Sequence, residues 1–338
     1  MKVIFYKMMD LKNNMTNSWK ISCGILVSIL FLIPILGIHH ATGDSTRTGL
    51  MIPLYGYPSP EWDKVVAAKT AHPSVPVIVI INPNSGPGTS QDANFVTGIQ
   101  KLKSAGIIVL GYVPTDYTTR SASSVMADIN SYKNWYLVDG IKFDEMTNTA
   151  GHETYYSNLS AYAKSLGFTL TAGNPGADTL PSYIGTVDII TIFENSYLPD
   201  LSSLGGWHLD YDKKNFSTVS YGISSLDQAF VTAESQYVGY TYLTDDNQPN
   251  PFDSTSSYLN DLMLILDSCS DLPPVGDWII SSSCTLTSSS TAHGNVIIQN
   301  GAVLTIPNGI SLDIDFTSKH LLVKSGSGVL IKAGGKIF

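Results

Sequence analysis

"VDGIKFDEMTN", residues 138–148, decides how the rest of the chain is read. It is a short apolar stretch that ends in two adjacent acids, Asp144 and Glu145, with Lys142 set among β-branched and aromatic neighbours. Side chains along a strand alternate between its two faces. Ile141 and Phe143 therefore share one face, and Lys142 and Asp144 the other. A barrel of parallel strands accommodates both, with an apolar helix layer outside and catalytic groups gathered at the carboxyl-terminal mouth.

The flanking sequence repeats the pattern. Strand-like runs at 49–57, 76–84, 107–115, 168–176, 187–197, 217–223 and 237–246 accompany the opening stretch. Helical runs at 61–72, 91–106, 121–136, 152–167, 225–236 and 256–268 separate most of them. Alternation of this kind means βαβ units and a parallel sheet. Eight strands fit a (β/α)8 TIM barrel, whose usual length is ~250 residues, over residues 44–268. A doubly wound open sheet would carry a Gly-rich phosphate turn after the first strand, and "YGYPSPEW" (55–62) is not one.

The predicted strand ends are rich in amides, acids and tyrosines. Asn82, Asn84, Asn174, Glu194, Asn195, Asp245 and Asp246 fall there, with Tyr55, Tyr57, Tyr112, Tyr240 and Tyr242. Amides and carboxylates hydrogen-bond sugar hydroxyls, and aromatic rings stack on sugar faces. Glycosidases need one carboxylic acid to protonate the leaving oxygen and a second carboxylate as nucleophile or base. Asp144 is assigned as nucleophile or base and Glu194 as acid/base, with Ile192 and Phe193 placed to raise the pKa of Glu194. Glu145 orients substrate or shifts its neighbour's pKa, and an exchange of roles between Asp144 and Glu145 stays open. Asn82, Asn174, the five tyrosines and Lys142 complete the candidate substrate-binding set. Lys142 reads as the ion-pair partner of a barrel acid in preference to a Schiff-base lysine. His208, in the insertion "GGWHLDYDKK" (205–214), lines a lid or sits exposed in a loop.

The segments "PLYGYP", "IINPNSGPG", "GYVPTDY", "VDGIKFDE", "NPG" and "ITIFENSY" occur in this order at successive strand ends. They resemble the spherulin-4-like proteins, glycoside hydrolase family 135, over roughly residues 48–268. The resemblance implies a (β/α)8 barrel that cleaves N-acetylgalactosamine-containing polysaccharide, notably an α-1,4-linked one, by retention. It also implies essential acids at Asp144, Glu145 and Glu194.

Composition frames the setting. The chain has 338 residues, 43% hydrophobic but only 14% charged, against roughly 25% charged in ordinary soluble domains. Its net charge of −9 leaves no basic footprint for nucleic acid. Residues 21–38, "ISCGILVSILFLIPILGI", follow four lysines as an h-region follows an n-region. Residues 1–43 are thus a signal peptide or an uncleaved signal-anchor, the latter being the sole membrane attachment expected. Either places the remainder at the cell surface or outside it. In that setting Cys269 and Cys284 are expected to pair. No CxxC, HExxH or His/Cys cluster occurs, so neither a metal nor a cofactor is expected.

Residues 269–338 differ in character. A linker, "DLPPVGDW" (271–278), precedes a Ser/Thr-rich run and short β-branched stretches punctuated by Asn300-Gly301 and Asn308-Gly309. These suit a small all-β domain, a β-solenoid or a meander, with a structural, adhesive or wall-binding role. Two further readings of the barrel stand beside the hydrolase: one that binds glycan without cleaving it, and a Schiff-base lyase using Lys142.

Overall fold

The computed structural model describes residues 47–269, 272–273 and 275–338. The assignment of residues 1–43 and part of the 271–278 linker lie outside the described residues. Eight strands form one closed barrel in chain order: β1 (Gly49–Leu54), β2 (Val77–Ile81), β3 (Ile108–Pro114), β4 (Gly140–Asp144), β5 (Leu170–Gly173), β6 (Ile189–Asn195), β7 (Phe216–Ser220) and β8 (Tyr240–Leu243). Every neighbouring pair is parallel, and β1 closes on β8.

Among the described residues, six α-helices cover this sheet: α1 (Pro60–Ala71), α2 (Ala93–Ser104), α3 (Ala122–Trp135), α4 (Glu153–Ser165), α5 (Gln228–Glu234) and α6 (Leu259–Asp267). Their starts are legible. Ser59 caps α1, Asp92 caps α2, Ser121 caps α3 and Asp227 caps α5, each accepting from a backbone N–H that the helix leaves unpaired. The β5–β6 and β6–β7 connections carry 3-10 turns only, at Pro181–Tyr183, Leu201–Leu204, Gly206–Asp210 and Lys213–Asn215. The barrel is thus covered by loop where "GGWHLDYDKK" lies.

Two buried layers follow from strand alternation. Leu50, Ile52, Val77, Val79, Val109, Ile141 and Phe143 pack with Trp62, Phe95, Ile129, Tyr132 and Tyr156 of the helices. Met51, Ile78, Ile80, Leu110, Tyr112, Ala172 and Ile189 form a separate cluster inside the barrel. β2 reads "VIVII" with all five residues buried because both of its faces are covered.

The C-terminal region is a three-sided parallel solenoid. β9 (Trp278–Ile280), β12 (Val296–Ile298) and β15 (Leu321–Val323) form one face. β10 (Cys284–Thr285), β13 (Val303–Ile306) and β16 (Gly328–Ile331) form the second. β11 (Ser290–Thr291), β14 (Ser311–Asp313) and β17 (Lys336–Ile337) form the third. Parallel pairing throughout excludes the meander, whose strands run antiparallel. Trp278, Ile280, Leu286, Val296, Ile298, Leu304, Ile306 and Leu312 fill its centre.

The first coil is fastened to the amino-terminal end of the barrel, opposite the mouth. A disulfide joins Cys269 to Cys284. Asp267, at the end of α6, accepts hydrogen bonds from Arg47 (3.2 Å), Ser74 and Thr285 (2.9 Å) and contacts His72 (3.2 Å).

Candidate active site

Asp144 is the last residue of β4, Asn174 follows β5, and Glu194 lies near the end of β6. All three therefore stand at the carboxyl-terminal mouth. The Asn174 side chain joins the two acids: its Nδ2 donates to Asp144 Oδ1 at 2.8 Å and to Glu194 Oε2 at 2.6 Å. The amide is held in that orientation because its Oδ1 accepts the Gly176 N–H at 2.9 Å. Its backbone is fixed as well, by Asn174 N–H to the Phe143 carbonyl and Met146 N–H to its own carbonyl, both 2.9 Å. Gly173 permits this approach of β5 to the β4 loop, since a Cβ there would lie 2.4 Å from the Met146 sulfur.

Glu194 owes its aim to an irregularity. The β6–β7 register shifts between Thr191 and Phe193, so Ile192 is an extra residue. Such a bulge turns the following side chains relative to the regular alternation. Thr191 and Glu194 both reach inward as a result, although two residues separate them. Sequence pattern left this strand ambiguous because apolar residues occupy both faces; the bulge resolves it.

Lys142 lies beneath the acids, 2% exposed, with its amine donating to the Thr191 hydroxyl at 3.1 Å. Its direct partner is thus a hydroxyl, while Asp144 and Glu194 act on it through space. Burial pushes the Lys142 pKa down, and the two acids pull against that shift. Burial raises the Glu194 pKa, the Asp144 charge raises it further, and the Asn174 hydrogen bond and Lys142 hold it back. The Tyr112 hydroxyl donates to Asp144, and burial with that neighbouring charge keeps the phenol protonated. Tyr55 packs edge-on against Tyr112 (5.5 Å between ring centres) and against Phe252 (5.5 Å). Burial and the charges of Asp144 and Glu194 raise its pKa too.

Glu145 faces elsewhere. Its carboxyl hydrogen-bonds Asp116, and burial, that bond and the Asp116 charge raise its pKa. Its Oε2 is buried with no partner. Backbone strain marks the same spot: Asp116, Tyr117, Thr118 and Glu145 all have positive φ, from 45° to 78°. Conformations of this kind cost about 1–3 kcal/mol each and persist only where surrounding bonds enforce them. Tyr117 N–H donates to the Glu145 carbonyl (2.8 Å), and the Thr115 hydroxyl donates to the carbonyls of Asp144 (2.9 Å) and Glu145 (2.8 Å). These bonds lock the β3 and β4 ends to each other.

The structure thus brings Asp144, Glu194, Asn174, Tyr112, Tyr55 and Lys142 together. Of the other candidates, Asn82 follows the inward-facing Ile80 at the carboxyl end of β2, and the remaining tyrosines lie elsewhere. Asn82 spends its Oδ1 on the Gly86 N–H at 2.9 Å, closing the turn after β2. Tyr57 is 53% exposed and its hydroxyl is tied to Asp92 and Asn94 at the start of α2. Tyr240 opens β8, and so stands at the amino-terminal end of the barrel, packed on the interior cluster. Tyr242 is fully buried, its hydroxyl accepting the Ser256 N–H at 3.1 Å. His208 is 4% exposed and sits in no open loop. Asp116, Thr191 and Phe252 were missed by sequence reasoning. The pairing of Pro114 with Asp144 puts Asp116 next to Glu145, so β3–β4 register was the signal for the first of them. Among the described residues, no group of three His, Cys, Asp or Glu side chains is placed to hold a metal ion.

Fold and site define a parallel TIM barrel carrying a hydrogen-bonded carboxyl pair at its mouth. Residues 49–266 match the Spherulation-specific family 4, and the chain belongs to that family. It is 34% identical to Spherulin-4 of Physarum polycephalum over 234 residues, covering 64% of this chain and 69% of the relative. It is also similar to the solved structure of Aspergillus clavatus Sph3 in complex with GalNAc, with a TM-score of 0.59 and 26% identity. That likeness covers 66% of this chain and 99% of the other.

Proposed function

We propose that the protein is an exported glycoside hydrolase that cleaves within an N-acetylgalactosamine-containing polysaccharide and retains the anomeric configuration. The observation that carries this reading is the single Asn174 amide shared by Asp144 and Glu194. Two oxygens bound to one nitrogen at 2.8 and 2.6 Å are held within about 5.5 Å of each other. Carboxyl groups ~5–5.5 Å apart suit retention, whereas inversion needs ~6.5–9.5 Å to admit a water.

The roles follow from the environments. Glu194, its pKa raised by burial and by Asp144, enters protonated and gives its proton to the leaving glycosidic oxygen. Asp144, hydrogen-bonded by Tyr112 and Asn174, attacks the anomeric carbon as that C–O bond breaks. Glu194, now a carboxylate, takes a proton from water, whose oxygen displaces Asp144 and restores both groups. Glu145 supports this pair from behind through Asp116. The GalNAc bound by the Sph3 relative supports the substrate class. The Cys269–Cys284 disulfide supports an oxidising, extracellular setting.

The test is a degradation screen of N-acetylgalactosamine polymers with wild-type protein beside Glu194→Gln. Turnover by the wild type with loss of ~10³-fold or more in the variant is expected. Glycan binding without turnover in both would replace the hydrolase by a binding barrel.

A further inference from the structure

Beyond the carboxyl pair, on the other side of the β6 end, lies a cavity of about 180 Å³. Glu194 points inward to Asn174, so its neighbours Phe193 and Asn195 point away from the barrel axis and line this space. Ile192 and Leu204 give it an apolar floor, and Ser203 adds a hydroxyl. Tyr197 stands at its rim, 57% exposed, with its ring braced edge-on by Phe193 at 5.5 Å.

The walls come from two loops, Gly176–Asp178 after β5 and Ser203–Leu204 in the insertion after β6. No α-helix supports that insertion; a clasp centred on the buried His208 does. His208 Nε2 meets Asp178 Oδ1 at 2.9 Å, and its Nδ1 meets the Gly205 carbonyl at 2.7 Å. The Trp207 ring stacks on the imidazole at 4.0 Å, and Phe216 meets it edge-on at 5.1 Å. Asp178 is in turn held to the β4 loop, its carbonyl accepting from Asn148 Nδ2 at 2.9 Å. The cavity is therefore preformed, as ligand sites usually are.

We infer that this cavity is a second glycan subsite, which takes the N-acetylhexosamine unit adjoining the one cleaved between Asp144 and Glu194. An aromatic rim, an apolar floor and neutral amide and hydroxyl groups suit a sugar ring bearing an acetamido substituent. The only ionisable side chain that lines it apart from the Tyr197 phenol is Asp178, which His208 engages. Phe193 and Asn195 flank the acid directly in β6, so a chain lying across the mouth meets both. The inference rests on the hydrolase reading, which it extends to the sugars beside the cleaved bond.

The test uses the full chain with Glu194→Gln to prevent turnover, titrated with N-acetylgalactosamine and with its α-1,4-linked hexamer. The hexamer is expected to bind at least ~10-fold tighter than the monosaccharide. Tyr197→Ala, which removes the exposed platform, and Ser203→Trp, which fills the cavity from an exposed position, should each reduce that advantage to about threefold or less. A hexamer that binds no tighter than the monosaccharide, or that keeps its advantage in both variants, overturns the subsite. Hydrolysis by the wild type is scored separately. Turnover with an unchanged hexamer advantage removes the subsite and leaves the hydrolase. An advantage lost in the variants without wild-type turnover keeps the subsite and removes the hydrolase.

Discussion

Two glutamates, the half-buried Glu194 at the mouth and the fully buried Glu234 under the helix layer, show what makes a carboxyl group a site. Burial raises the pKa of both, that of Glu234 to about 7. Glu234 is fully buried, with Thr218 donating to one oxygen (2.7 Å) and Thr241 to the other (2.8 Å). Those hydroxyls, from β7 and β8, partner both carboxyl oxygens, and no second acid is among the causes that shift its pKa. Glu194 has one amide that it shares with Asp144, a lysine below it, and partial exposure at the mouth. A shifted pKa marks functional candidates only in part, because structural networks shift pKa values too. A second carboxylate within reach and access for a substrate separate the two cases.

The sharpest way to break this comparison is to neutralise each acid in turn. Asp144→Asn and Glu194→Gln should each lower kcat by ~10³-fold or more while glycan binding persists. Glu234→Gln should stay within about twofold of wild type. Comparable losses from all three, measured as turnover of one polymer, would show that burial alone had been mistaken for chemistry.

A smaller effect comes from the shared amide. Asn174→Ala should cost roughly 10²-fold in kcat, the scale of a lost preorganised donor. Its hydrogen bond lowers the Glu194 pKa, so the basic limb of the pH–rate profile should move upward in the variant. Lys142→Met should move that limb in the same direction with a smaller loss of kcat, since it also removes an interaction that lowers the Glu194 pKa. A downward move in either variant would contradict the electrostatics described for the mouth.

The smallest effect sharpens the Glu234 side. Its folded pKa of about 7 lies above the ordinary glutamate value of ~4.3. The fold therefore favours the protonated form. The stability it contributes is complete below about pH 4.3 and is lost as pH rises through about 7. Glu234→Gln should flatten the denaturation midpoint across that window. An unchanged pH slope in the variant would mean that Glu234 titrates normally in the folded chain.

Much of the fold was written locally. Helix caps at Ser59, Asp92, Ser121 and Asp227, and runs such as Val77–Ile81, act over a few residues and are visible in order along the chain. Asp144 was legible for the same reason, because alternation through Ile141, Lys142 and Phe143 fixes its direction within one strand. The solenoid was half legible: glycine corners such as Gly301 and Gly309 announce turns, but not whether strands return parallel or antiparallel.

What only the tertiary structure decided depends on neighbours distant in sequence. Glu194 faces inward because of a bulge whose register is set against β7. Glu145 turns to Asp116 because β3 and β4 pair in one register and force four residues into positive φ. Tyr55 and Tyr112 reach the acids whereas Tyr240 and Tyr242 do not, although all four looked alike as tyrosines near strand ends. Sequence by itself determined the barrel, its parallel order and the acids at its mouth, because hydrophobic period and capping are short-range. Which of those side chains share a hydrogen bond was decided by register and closure, and these exist only once all eight strands have met.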